Sequence, residues 1–354
     1  MQNALATAQG KGKPNGAWDI KSLGDIPRRN VDWLWFPYLA RKETTMVEGD
    51  PVGGKSWILQ VVAAHACDGQ MQELPSLASE RSHKGPLKVL AFDADNSIDT
   101  ITKARLEWVD CKNQHNYFQK EEPFSIEKDY DKVVEAVKRI GADIVIFDIV
   151  NYYLAGAESS KPDIAVVLGL FKQLASECNC AVILVRWMTK GKGDRKAIQL
   201  GQGNMAFTGI VTIQILVTKM EMEQTEENKN RKRHAFAVTK CRVGVEAPPH
   251  DFYIEKAPTL KDVDRAITTF GDYLDDVTAD DLMGKEGRPA EPSRDAKRFL
   301  KCELADGPVD RDALLEKADL RNYSERTLQR AANELGIIKS GAKGKKTKSQ
   351  WSLP

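Results

Sequence analysis

Eight consecutive residues carry the clearest chemistry in the chain: Gly49, Asp50, Pro51, Val52, Gly53, Gly54, Lys55 and Ser56. They match the pattern G-x-x-x-x-G-K-[ST] at every fixed position. The run before them (44–48) reads as a strand. The run after them, from Trp57 onward, reads as a helix, and strand–loop–helix is the context this pattern requires. Glycines let the backbone wrap closely and aim N–H groups at phosphate oxygens, and the helix N-terminus adds its positive end. Such a loop grips a triphosphate. Lys55 would reach its outer phosphates and Ser56 would hold a magnesium ion.

The magnesium needs an acid at the end of a buried strand. Residues 142–148 supply one: four apolar residues in a row, then Asp148. Ligands of open α/β sheets bind at the C-terminal ends of strands, so Asp148 is expected to end a parallel neighbour of the strand that feeds the loop. A second run ends in Asp93, Ala94, Asp95 and Asn96. Asp95 or Asp93 is a candidate to orient an attacking water; the competing role for either is to cap the helix that follows.

These residues must be positioned by a sheet. Strand-like runs occur at 44–48, 87–93, 143–148, 181–186, 210–217 and 234–239, with amphipathic segments near 55–67, 98–109, 129–140 and 163–177 between the early ones. That alternation predicts βαβ units in a mostly parallel sheet with helices on both faces, an α/β fold. The domains expected are a polar N-terminal segment (1–30), a nucleotide-binding core (31–276), a Gly-, Pro- and charge-rich linker (277–293) and a C-terminal module (294–354). An aromatic cluster at 31–39 is expected to pack on the core. The charged stretch 221–233 reads as a hairpin loop.

Composition bounds the class. The chain has 354 residues, 52 Lys and Arg against 51 Asp and Glu, and 42% hydrophobic residues, so it is neither a polycation nor a disordered acidic tail. Its six cysteines form no CxxC pair, which argues for reduced thiols and against a zinc site or disulfide framework. No apolar run reaches the ~20 residues of a membrane-spanning helix, and the N-terminus lacks the apolar stretch of a secretory signal; a cytoplasmic location away from membranes is expected.

The order of these blocks over about 30–256 resembles the RecA-fold ATPases of the plasmid RepA helicase type, common in phage and mobile-element replication modules. The resemblance rests on the aromatic segment, the loop at 49–56, the strand end at 91–96, Asp148, the run 184–191, the stretch 201–209 and the run 238–242. It implies a RecA-like core that uses ATP and Mg²⁺, forms rings, often hexamers, and passes DNA through a central channel. On this resemblance Lys240 or Arg242 reaches a neighbouring subunit's nucleotide, and Lys190 and Lys192 lie on a basic, glycine-rich stretch suited to phosphate-backbone contact. The chain departs from the family pattern where Asp95 stands for the usual Glu, Trp187 for His and Asn204 for Ser. The basic residues often found near Leu200 and Thr212 are also absent.

The C-terminal module reads as three helices (294–304, 310–318, 324–335) and a hairpin, which resembles a winged helix. The third helix would expose Arg326 and Arg330 to a DNA groove. The basic turn, with Lys343, Lys345, Lys346 and Lys348, would contact phosphates. From Arg288 onward fifteen Lys and Arg stand against ten Asp and Glu, so the neutral total hides a positive tail. The function expected is a ring-forming, DNA-acting ATPase, a replicative-type helicase first. The alternatives are a slow-hydrolysing, ATP-gated loader or regulator and a small-molecule kinase built on the same loop.

Overall fold

The computed structural model describes residues 22–154, 161–188, 205–222, 225, 228–256, 266–275, 277–282, 296, 299–301, 303–305, 307–319, 325–340 and 349–353. The chain divides into two compact units, Met1–Asp32 and Trp33–Pro354. Within the described part of the first is one short 3-10 turn, Leu23–Asp25.

The second unit opens with a small antiparallel pair, β1 (Trp33–Trp35) and β2 (Leu39–Ala40). Then follow β3 (Thr44–Gly49), α1 (Lys55–Asp68), β4 (Val89–Asp93), a π-helical turn (Ile98–Thr102) running into α2 (Lys103–Trp108), β5 (Tyr117–Lys120), α3 (Ile126–Ile140) and β6 (Ile144–Asp148). After these come α4 (Lys161–Glu177), β7 (Ala181–Trp187), α5 (Met205–Ile210), β8 (Ile213–Lys219), β9 (Arg231–Cys241), β10 (His250–Lys256), β11 (Ala266–Tyr273) and α6 (Ala279–Leu282).

Nine strands form one sheet in the order β11-β10-β9-β8-β3-β7-β6-β4-β5. The six from β8 to β5 are parallel, and β9, β10 and β11 extend the sheet antiparallel. This is the mixed α/β, mostly parallel arrangement of a RecA-like P-loop core. The central strands are buried along their whole length, as strands covered on both faces must be. α1 covers one face, with Ile58, Leu59 and Val62 against Thr45, Val47, Ile183 and Ile215. The other face packs Met46, Val145, Phe147 and Leu184 against α3 and α4 through Val133, Val137, Leu168 and Phe171. In α3 those valines recur at helical spacing while charges occupy the opposite side, and Gly141 ends the helix in a left-handed conformation.

Three expectations change. Asp148's strand is not the neighbour of the loop strand, because β7 lies between β3 and β6. Ile210 closes the helix α5 and does not start a strand; β8 begins at Ile213. Strands β5, β10 and β11 were not among the predicted runs, being only partly buried and weak in alternation. The aromatic segment does pack on the core: Trp35 and Tyr38 lie 5.8 and 5.3 Å from the Phe236 ring. Residues 277–282, at the start of the expected linker, form a capped helical turn, α6. There the Thr278 backbone N–H donates to Asp281, and Ala279 and Leu282 pack on Met188 and Leu216.

Near the C-terminus, β12 (Val309–Asp310), α7 (Arg311–Asp319), α8 (Glu325–Glu334), β13 (Ile338–Ser340) and β14 (Gln350–Ser352) surround a separate hydrophobic cluster that includes Phe299, Leu300, Leu314, Leu328 and Trp351. The three strands pair antiparallel in the order β12-β14-β13. No helix among the described residues is long and apolar enough to cross a membrane.

One close approach fixes the loop strand in the sheet. A Cβ on Gly49 would stand 1.9 Å from the Val217 carbonyl oxygen, whereas one on Gly169, inside α4, would meet nothing within 4 Å. Gly49→Ala should therefore lower the melting temperature by many degrees. Gly169→Ala should hold or raise it, by up to ~1 kcal/mol of helix propensity. Thermal unfolding of the two variants beside wild type checks this.

Candidate active site

The phosphate loop runs from the end of β3 to the first turn of α1. Gly53 closes a turn onto the Asp50 carbonyl at 2.9 Å. Gly54 (φ +97°) then takes the left-handed conformation that a side chain would resist, and caps α1. The loop leans on β8 and on the antiparallel strands beyond it. A Cβ on Gly54 would come 3.0 Å from both the His234 and Phe252 rings, which stack at 5.2 Å, and one on Gly53 would come 2.8 Å from the Val217 carbonyl. Asp50, Pro51 and Val52 form the exposed lip.

Lys55 is buried. Its ammonium donates to the carbonyls of Gly49 (2.9 Å) and Asp50 (2.7 Å), inside the curve of the loop. Burial pushes its pKa down to about 8, and the charges of Asp148 and Asp50 oppose the fall. Ser56 follows, half-buried. Trp57, the next residue, stacks on Trp108 of α2, centroids 6.0 Å apart.

Asp93 and Asp148 end β4 and β6 directly opposite each other. Both are buried. Burial, then the Asp93 charge, pushes the Asp148 carboxyl up to about 7, and Lys55 resists. Burial raises Asp93 as well, against the hydrogen bonds it accepts. Those bonds make Asp93 the organiser of a turn. Its Oδ1 accepts from the backbone N–H groups of Asp95 and Asn96 (3.0 Å each), and Asn96 Nδ2 donates to both its oxygens. Asp95 beyond this turn is exposed, beside the Tyr152 phenol, whose pKa it raises by a hydrogen bond. Tyr152 in turn meets Trp187 edge-on at 6.5 Å.

The sheet thus brings Lys55, Asp93, Asp95 and Asp148 to one edge and keeps Lys240 and Arg242 away from it. In register, Lys240 lies opposite Gln214, which pairs with Met46, three residues below Gly49. Lys240 donates to the Thr208 and Val211 carbonyls, and Arg242 to the Gly209 carbonyl at 2.7 Å. Both cations therefore satisfy the C-terminal end of α5 in their own chain. Burial, with Arg242 and Lys172 nearby, pushes the Lys240 ammonium down to about 8. Thr212, which stands where the family pattern often has a basic residue, donates its hydroxyl to Glu43 at 2.5 Å. Lys190, Lys192, Leu200, Asn204, Lys343, Lys345, Lys346 and Lys348 lie outside the described residues; Arg326 and Arg330 fall within α8.

Two features were not foreseen. Arg105 of α2 lies 4.9 Å over the Trp57 ring, reaches Asn96 Oδ1 at 3.4 Å, and feels the charges of Asp93 and Asp148. In the sequence it is one arginine on an amphipathic helix. The other is a buried trio, Glu48, Arg186 and Gln214. The one sequence signal was Arg186, a charged residue in the otherwise apolar run 181–187; Glu48 and Gln214 stand in strands that also carry threonines.

A divalent cation fits this edge. Two buried carboxylates stand in register, Asp148 feels the charge of Lys55, the next residue of the loop is the hydroxyl-bearing Ser56, and hard cations take such oxygen donors. Ser56 and Asp148 are the residues that would hold Mg²⁺, which would neutralise phosphate charge when bound. Because the folded-state pKa of Asp148 lies above its ordinary value of 3.8, the folded chain keeps the extra proton between about 4 and 7. Stability without metal therefore falls as pH rises through that window. Asp148→Asn should flatten that slope and melt above wild type at pH 8, by a few kcal/mol at most, yet lose Mg²⁺-dependent turnover. Melting curves from pH 4 to 8 with an ATPase assay check both halves.

A family model described as an AAA domain matches residues 13–193, just over half of the chain and including the loop, Asp93, Asp95 and Asp148. Comparison with curated proteins gives no match. With a phosphate loop on a RecA-like sheet, acids at the adjoining strand ends and this match, the chain belongs to the AAA-domain family of P-loop ATPases.

Proposed function

We propose that the protein is a ring-forming ATPase that acts on DNA, a helicase of the replicative type, with a C-terminal winged helix. The observation that carries the reading is the pairing of this nucleotide edge with a separately cored C-terminal module: helices α7 and α8, a three-stranded antiparallel sheet, and a lysine-rich sequence linking β13 to β14. In a winged helix the wing occupies that position, and lysines there suit phosphates without sequence readout.

In this reading Lys55 and the loop amides bind the ATP phosphates, and Ser56 and Asp148 hold Mg²⁺. Asp93 has both oxygens committed to its turn, so water positioning falls to the exposed Asp95. Lys240 and Arg242, too low on their own sheet to reach their own phosphates, would serve a neighbour's nucleotide in a ring by releasing the α5 carbonyls they hold, with six subunits as the family resemblance implies. Lys190 and Lys192 contact single-stranded DNA in the channel, and Arg326, Arg330 and the turn lysines contact duplex. The location is cytoplasmic.

A second reading, a slow-hydrolysing loader or regulator, has one specific support. Asp95 is a methylene shorter than the Glu usual there, and Trp187, where His is usual, packs edge-on to Tyr152 and offers no titratable nitrogen.

ATPase rates with and without single-stranded DNA test the proposal. A helicase requires stimulation by DNA, and Lys55→Ala should cut the stimulated rate at least ~100-fold by removing a preorganised cation. An unstimulated, slow rate favours the loader. Replacing Lys343, Lys345, Lys346 and Lys348 by Ala should also shallow the salt dependence of duplex binding, by about one unit of log–log slope for each phosphate the wing no longer neutralises. An unchanged slope removes the wing from the interface.

A further inference from the structure

Directly beneath the phosphate loop, three strands share a buried polar knot. Glu48, the residue before Gly49, is 0% exposed, Arg186 on β7 is 1% and Gln214 on β8 is 0%. Glu48 and Arg186 are register partners across β3 and β7, and the next pair up is Gly49 with Trp187. One carboxylate oxygen of Glu48 accepts from Arg186 Nη2 at 2.5 Å; the other accepts from Gln214 Nε2. A single carboxylate therefore ties the loop strand to both flanking strands. The guanidinium lies 4.4 Å over the Phe207 ring of α5, and its Nε and Nη1 have no partner among the described residues.

Stability does not account for this knot. Removing a carboxylate and a guanidinium from water costs several kcal/mol each, and an apolar trio of similar volume is commonly as stable or more so. Two guanidinium nitrogens without a hydrogen-bond partner among the described residues add to the cost. The knot supplies direction, which an apolar trio lacks. Both Glu48 oxygens have fixed partners, so β3 cannot slide or tilt against β7 or β8 without breaking a charged hydrogen bond. Those three strands set the height of Gly49, whose carbonyl holds Lys55, relative to Trp187.

We infer that Glu48, Arg186 and Gln214 are positioning residues for phosphoryl transfer, fixing the root of the phosphate loop in the sheet while touching no substrate. The inference rests on the chain hydrolysing ATP, and one of its two readouts does not.

The test uses the full chain carrying Glu48→Met, Arg186→Met and Gln214→Leu together, and separately Gln214→Leu alone, which removes only the tether to β8 and leaves the charge pair intact. The triple variant should melt within a few degrees of wild type and keep the KM for ATP. Its kcat should fall at least ~10-fold, as expected when catalytic groups are displaced by a fraction of an ångström. Amides of residues 47–54 should exchange hydrogen faster than in wild type, while those of β6 do not change. Gln214→Leu should show the same effects to a smaller degree. Wild-type kcat and wild-type exchange in either folded variant would overturn the inference. The exchange readout needs no turnover, so a wild-type chain that hydrolyses no ATP counts against the ATPase reading and leaves this test in force.

Discussion

A lysine ammonium and two carboxylates are buried at one sheet edge, and the organisation of the core follows from keeping them there. Alone, each is costly. Burial lowers Lys55 to about 8 and raises Asp148 to about 7, each toward its neutral form. Their charges partly relieve each other, and the loop carbonyls of Gly49 and Asp50 absorb the ammonium. An edge that concentrates both a cation and acids suits a ligand bringing phosphates for the one and a metal for the others.

The sheet order makes this edge possible. With β7 between β3 and β6, the loop and Asp148 rise from strands that do not touch, which leaves a crevice at the C-terminal ends. The loop is also supported from β8 and the antiparallel strands beyond it, where Val217 and the His234–Phe252 stack press on three of its glycines. Here glycine serves close packing as much as backbone freedom. A loop with so little room keeps its amides aimed before any ligand arrives, which lowers the cost of stabilising charge later.

The parallel strands other than β5 were legible in the sequence because their signals are local. A fixed-spacing loop, apolar runs ending in acid and valines at helical spacing in α3 each report on a few adjacent residues. What was not legible depends on partners distant in the chain. That β7 separates β3 from β6 follows from strand order, which no periodicity encodes. β5, β10 and β11 are partly buried strands whose alternation is diluted by their exposed positions. Lys240 and Arg242 looked like free cations at a strand end, and only the return of α5 beneath β9 gives them carbonyls to satisfy. Arg105 gained its place from the stacking of Trp57 on Trp108.

The central claim is that Lys55 and Asp148 face one Mg²⁺–nucleotide from opposite sides of the crevice. A crystal structure with Mg²⁺ and a non-hydrolysable ATP analogue tests it most directly. The Lys55 ammonium should then leave the Gly49 and Asp50 carbonyls for the outer phosphates, with the metal between Ser56 and Asp148. An analogue bound elsewhere, or a metal held without Asp148, would contradict it.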